Sequence, residues 1–237
     1  MGKRIAISQS NYIPWKGYFD LIDTVDAFVL YDDVQYTRRD WRNRNRIKTA
    51  NGPLWLTVPV QVKGKYTQKI CDVVVSEPDW GVTHWRSLEH AYRRAPHFAA
   101  YEPHLRPLYE NPPSERLSAI NRAFLEAINR LLGITTPFTW SSDYQLEDDR
   151  NQRLISICRQ AGATDYYSGP AAKTYLDEAA FAAEGIRVHW MEYDGYPEYP
   201  QLHPPFDPYV TVLDLLFHVG AEAPRYIKRS AGGAAAA

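Results

Sequence analysis

Arg4-Ile-Ala-Ile-Ser8, the loop from Gln9 into Pro14, and Ala27-Phe-Val-Leu-Tyr31 decide the fold of this chain. Two short apolar runs flank a stretch that Pro14 opens as a helix, at a position where its missing N–H costs nothing. Runs this short and this apolar suit strands buried on both faces, and two such strands joined by a helix make a right-handed βαβ crossover. Asp32-Asp33 closes the second strand.

The last third repeats this logic. Thr136–Trp140, Thr164–Tyr167 and Ile186–Tyr193 have strand character, with helices expected at Leu154–Ala161, ended by Gly162, and at Thr174–Glu184, ended by Gly185. In the middle, Leu54–Val62 and Gln68–Val75 alternate around Lys63-Gly64-Lys65 as a β-hairpin does, with Pro59 marking an edge strand. Trp80–Ala95 turns helical with His84, Leu88 and Tyr92 on one face, and Leu117, Ile120, Phe124, Ile128 and Leu131 stripe a second helix between Ser114 and Gly133. Val212–Val219 is a closing apolar helix. The expected fold is α/β, a predominantly parallel sheet with helices on both faces in a Rossmann-like three-layer arrangement, with an inserted β-hairpin and helical segment. Residues 1–230 form a single domain, and 231–237, in the closing SAGGAAAA, are an appended tail.

Composition narrows the function classes. Of 237 residues, 27 Lys and Arg against 28 Asp and Glu leave a formal net charge of -1, so the molecule as a whole is not drawn to nucleic acid or anionic membranes. Cys71 and Cys158 stand far apart with no metal-type spacing, as reduced thiols of a cytoplasmic protein do. Neither a signal peptide nor a membrane span is expected, and Ala6 breaks the myristoylation pattern that Met-Gly would begin.

Five stretches carry groups capable of chemistry. Gln9, Asn11, Tyr12 and Trp15 lie in the loop after the first strand, where open α/β sheets bind ligands; a plain strand-to-helix turn is the competing reading. Arg38, Arg39, Arg42, Arg44, Arg46 and Lys48, interleaved with Gln35, Trp41, Asn43 and Asn45, form a basic segment suited to a nucleotide, a sugar pyrophosphate or a phosphopantetheine arm, against a solvated, salt-bridged loop. Asp32 and Asp33 before it suit Mg²⁺ held through a substrate phosphate, a base, or a turn. His84 is a candidate general base or a structural histidine, and its spacing of six from His90 supports no zinc site. Ser168, Gly169, Lys173 and Tyr175 follow a strand and open a helix, a place for an anion or oxyanion, without P-loop or GxSxG spacing. Finally, Tyr196–Phe206, with Tyr199 and Gln201, is a rigid Pro- and ring-rich loop able to form an aromatic wall.

Taken together, these stretches resemble the WbqC-like family over nearly the whole chain. The pieces are Gln9–Phe19, Tyr31–Lys48, Trp80 with His84 and Tyr92, Ser168-Gly-Pro-Ala-Ala with Tyr175, Tyr199-Pro-Gln201, Asp214-Leu-Leu-Phe217 and Gly220. Ser10, the Thr211-Val212 pair and His218 depart from the family pattern, which bears on substrate fit. The resemblance implies a companion of surface-polysaccharide or natural-product biosynthesis that attaches an acyl or aminoacyl group to an amine such as an amino sugar. In that reading the basic stretch holds the phosphate of a CoA or carrier-protein thioester, or of a nucleotide-activated donor. His84 or Asp33 deprotonates the amine, and Asn43 or the Gly169 N–H steadies the oxyanion. An acyl carrier protein is then a candidate partner, with no metal called for. Nucleotidyl transfer, or a ligand-binding scaffold without turnover, are the alternatives.

Overall fold

The structure, a computed structural model, describes residues 2–227. The chain runs β1 (Lys3–Ser8), α1 (Lys16–Thr24), β2 (Ala27–Leu30), β3 (Arg44–Thr49), β4 (Gly52–Thr57), α2 (Trp80–Tyr92), α3 (Phe98–Glu110), α4 (Leu117–Leu132), β5 (Phe138–Trp140), α5 (Arg150–Gln160), β6 (Ala163–Ser168), α6 (Glu178–Ala183), β7 (Arg187–Trp190), α7 (Val212–Val219) and α8 (Pro224–Ile227). Five of the strands make one all-parallel sheet in the order β5-β2-β1-β6-β7.

Alternation along β1 and β2 shows why the sheet lies between two layers. Ile5, Ile7 and Val29 point into a core built with Leu154, Ile157 and Cys158 of α5 and Phe181 of α6. Ala6, Phe28 and Leu30 point the other way, into a larger core with Phe19 and Ile22 of α1 and Leu213, Leu216 and Phe217 of α7. A period of two thus buries every residue of β2. The three-layer expectation holds. No helix among the described residues is long and apolar enough to cross a membrane.

Three local expectations are corrected. The antiparallel hairpin is β3–β4, with Arg44 opposite Thr57 and Thr49 opposite Gly52, not the later pair of runs. Val60 and Val75 make only an isolated bridge. The basic segment is therefore itself a strand, with Asn45 and Ile47 turned into the core and Arg44 and Arg46 outward, and Gly52 at φ 99° closing its turn. Helix α3 carries Pro103 and Pro107 internally; both are exposed, so the carbonyls they leave unpaired meet water. It seats against α2 at Gly81, where a Cβ would lie 1.9 Å from the Tyr109 carbonyl oxygen. The third correction is at Thr174–Glu184, which divides into a 3-10 turn over Pro170–Thr174 and a short α6 capped by the Asp177 carboxylate. The appended tail at 231–237 lies outside the described residues.

Candidate functional site

The sheet order reverses between β1 and β6. From β1 the chain steps outward through β2 to β5 on one side, then returns to place β6 and β7 on the other. Loops leaving the two central strands must diverge there, so a crevice opens beyond their carboxyl ends, the usual ligand position in such sheets. In this protein it has a volume of about 680 Å³ and is lined by Ser8 and Gln9 at the end of β1, Tyr31, Gln35 and Thr37 after β2, Ser168, Gly169 and Tyr175 at and after the end of β6, and by the charged side chains of Arg42, Asp148, Arg150 and Arg153.

Each wall is fixed by bonds that the local sequence supplies. Asp32, at the end of β2, accepts hydrogen bonds from the Ser10 N–H at 2.8 Å, the Ser10 hydroxyl at 2.7 Å and the Ser118 hydroxyl of α4. Burial raises the Asp32 pKa, and these donors oppose the rise. Its oxygens are committed to pinning the loop after β1, which leaves none free for Mg²⁺. Asp33 accepts from Ser141 at 2.6 Å and faces Lys69 at 3.6 Å. The same loop is held by Tyr12 N–H to Trp41 O at 3.0 Å, Asn45 Nδ2 to Tyr12 O at 3.2 Å and Val212 N–H to Pro14 O at 2.9 Å. Between these ties Ile13 is forced to φ 36°, a strained position for a β-branched residue.

The basic groups stand differently. Arg42 donates to Asn11 Oδ1 and faces Asp40 at 3.4 Å, while its Nε is buried without a partner. Arg150 lies with its guanidinium 4.5 Å from the centre of the Tyr175 ring, and Arg153 donates to the Asp148 carbonyl at 3.1 Å. Burial raises the Tyr31 phenol pKa, and Arg153 beside it works against that. Arg150 and Arg153 occupy the opening turns of α5, where the helix dipole already carries positive charge and side-chain cations are disfavoured. An anion in the crevice relieves that repulsion.

A second, smaller pocket of about 160 Å³ is lined by Asn11, Pro14, Trp15, Trp41, Asn45 and Tyr209, and its Asn11 accepts the hydrogen bond from Arg42 of the crevice lining.

Ten of the residues singled out in the sequence thus line these two cavities: Gln9, Gln35, Arg42, Ser168, Gly169 and Tyr175 the crevice, Asn11, Trp15, Trp41 and Asn45 the small pocket. The others lie elsewhere. His84 is buried in α2, receiving the Tyr12 hydroxyl at Nδ1 (2.8 Å) and facing the Thr57 carbonyl with Nε2 (3.2 Å), which fixes the Nε2–H tautomer. Burial lowers its pKa to about 4. With both nitrogens used and no place on either cavity, it is a poor base for an incoming amine. Asn43 is buried and donates to Val58 O at 2.9 Å. Tyr92 and Tyr199 both donate to the fully buried Asp214 at 2.9 Å, as does Gln201. Arg44 lies 4.1 Å over the Trp55 ring on the hairpin's outer face, and Lys173 lies over Trp190 at 5.6 Å. Sequence reasoning missed Arg150 and Arg153, although two arginines three apart just after Asp149, at a helix start, were a legible signal.

Fold and crevice together define a doubly wound α/β protein with an arginine-lined crevice at its topological switch point. The model of the WbqC-like protein family matches residues 9–226, and the chain belongs to that family. It is similar to a Mycobacterium tuberculosis (strain ATCC 25618 / H37Rv) protein named "Uncharacterized protein Rv1507c", 54% identical over 226 residues, which cover 95% of this chain and 98% of that one. No solved structure matches.

Proposed function

We propose that the switch-point crevice holds the phosphate-bearing end of an activated acyl or aminoacyl donor, and that the protein is an amide-forming transferase acting on a small-molecule amine. One observation carries this: Arg42, Arg150 and Arg153 line a single crevice. Arginine forks suit phosphate oxygens, and the position of Arg150 and Arg153 at a helix start favours an anion further. A CoA or carrier-protein thioester and a nucleotide-activated acid both present such phosphates.

In the transfer, the neutral amine nitrogen attacks the acyl carbonyl carbon and a C–N bond forms. The bond from that carbon to the donor's sulfur or oxygen breaks, and its electron pair leaves with the thiolate or phosphate. The proton shed by the nitrogen passes to solvent. The Ser168 hydroxyl and Gly169 N–H, at the end of β6, are the donors available to the developing oxyanion. The crevice lining contains no imidazole and one carboxylate, Asp148, so the rate depends chiefly on proximity and on the amine's own free-base fraction, and rises with pH towards the pKa of the amine.

Nucleotidyl transfer is the second reading, favoured by the strand order alone, since a nucleoside triphosphate would occupy the same switch point. Release of pyrophosphate from an NTP would replace the first reading with it.

The test is calorimetric titration of inorganic pyrophosphate, CoA, acetyl-CoA, a nucleotide sugar and ATP into the wild type and Arg150→Ala/Arg153→Ala. A phosphate-bearing ligand is expected to bind, and the double variant to weaken it about 10- to 100-fold, the equivalent of one or two charge-assisted hydrogen bonds. Absence of binding by any of them, or equal binding to the variant, would remove the reading.

A further inference from the structure

We propose that the open edge of β4, with the exposed face of α2 beside it, is a docking groove for an extended acidic peptide segment of a partner protein, which adds to the β3–β4 hairpin as a third strand. The groove shares no lining residue with the crevice or the small pocket, so the inference stands apart from the transferase reading.

The strand edge is the first argument. β3 and β4 pair only with each other, and in their register Arg44–Thr57, Arg46–Trp55 and Lys48–Pro53 are the pairs whose backbone groups point away from the ladder. On the β3 side these groups are taken: Arg46 O accepts the Thr211 N–H at 2.9 Å, and the Lys48 N–H donates to the Tyr92 hydroxyl at 2.8 Å. On the β4 side the Thr57 carbonyl faces His84 Nε2 at 3.2 Å. Among the described residues nothing answers the Trp55 N–H and C=O or the Pro53 C=O. An edge open in this way is a template for another chain, and Pro53, which withholds one donor, keeps the open stretch short.

Shape is the second. Helix α2 runs alongside β4, with His84 at Thr57 and His90 beside Leu54. Two adjoining recesses of about 500 and 340 Å³ lie there and share Thr49, Leu54 and His90. Leu54, 44% exposed, and Leu202 supply apolar surface for alternate side chains of a strand. Thr83 to Arg93 spans about 15 Å of helix, a length that about four or five extended residues match.

Charge is the third, and it selects the occupant. Arg86, His90, Arg93, Arg94 and His203 line the recesses, and no carboxylate does. Glu89 of α2 is half-buried and lines neither. Among the described residues none of the three arginines makes an ion pair. The negative end of the α2 dipole favours Arg93 and Arg94 by itself, but it does not call for Arg86, in mid-helix. An acidic segment complements all three. Nucleic acid is anionic too, yet it has no main-chain groups for the strand edge, and no Trp, Tyr or Phe lines the recesses to stack a base.

The experiment is fluorescence anisotropy at low ionic strength with a labelled hexapeptide of alternating Glu and Val, its Lys–Val counterpart, and the Glu–Val peptide N-methylated at its central residues. A labelled oligothymidylate serves as the nucleic-acid probe. Each is titrated with the wild type, Arg86→Glu/Arg94→Glu and Leu54→Glu, all substitutions of exposed side chains, and a melting curve with pyrophosphate binding to the crevice confirms that each variant is folded. The Glu–Val peptide is expected to bind, the Lys–Val peptide not to, and N-methylation or either variant to weaken binding about tenfold or more. Failure of the acidic peptide to bind, equal binding by the Lys–Val or the N-methylated peptide, undiminished binding to the folded variants, or tighter binding by the oligothymidylate overturns the proposal. None of these results bears on the crevice, and loss of pyrophosphate binding there by the wild type would leave the groove standing.

Discussion

Two regions of this molecule are equally rich in polar side chains and put them to opposite uses. Around Asp214, the carboxylate receives Tyr92, Tyr199 and Gln201, Lys48 donates to Gln201 at 2.7 Å and to the Pro205 carbonyl, and His218 spans the Asp214 carbonyl and the Leu202 N–H. That network closes on itself and ties the Pro-rich loop to α7 and β3. In the switch-point crevice, Arg150 rests on a ring and Arg42 keeps a buried Nε without a partner. A closed network is worth stability, and an open one is worth binding. Residue type does not tell the two apart; the number of bonds already made does.

The sharpest way to break the comparison is Asp214→Ala. It strips two buried tyrosines and the half-buried Gln201 of their acceptor and should cost about 3 kcal/mol or more, a fall in melting temperature on the order of 6–12 °C for a domain of this size. A loss as small as that of a surface substitution would mean that the interior network is not closed.

A smaller effect comes from His84. Its native pKa of about 4 lies below the ordinary value, so between those two values the unfolded chain binds a proton that the native protein refuses. Its contribution is present at neutral pH and is lost as pH falls. Going from about pH 7 to about pH 4.5, the wild type should lose on the order of 2 kcal/mol more than His84→Gln, whose amide can still donate to Thr57 O but does not titrate. Chemical denaturation at the two pH values reads this, and parallel losses would place the imidazole in water instead.

The smallest expected effect is that of Arg44→Ala. It removes one half-buried guanidinium from the Trp55 face, about 0.5–1 kcal/mol, and should leave pyrophosphate affinity within twofold. A large loss of affinity would move the anion site from the crevice to the outer face of the hairpin.

These contrasts also explain what the sequence made legible. The parallel strands were readable because burial on both faces demands short, continuous apolar runs such as Ile5-Ala-Ile7 and Phe28-Val-Leu30. The hairpin was misplaced because β3 exposes Arg44 and Arg46 on its outer face and so reads as a solvated loop, although Asn51-Gly52 marks its turn. Helix α3 was hidden by its two prolines, whose harmlessness depends on facing water. Half of the site was visible for a topological reason: Gln9 and Ser168 follow strands that the sequence declares. His84, Tyr92 and Tyr199 drew notice through their chemistry, but only packing reveals that each is already occupied.

The pairing of Lys3 with Ala163 has a consequence for how the protein comes into being. β1 is the middle strand of the sheet, yet one of its two neighbours is made only when most of the chain has been synthesised. Until then one side of β1 is an unpaired apolar edge, the kind that recruits other chains, and closing so long a loop is intrinsically slow. The crevice borrows a wall from β6, so it comes into existence at the same late moment, and a chain interrupted before that strand has an α1 face to bury but no site to offer.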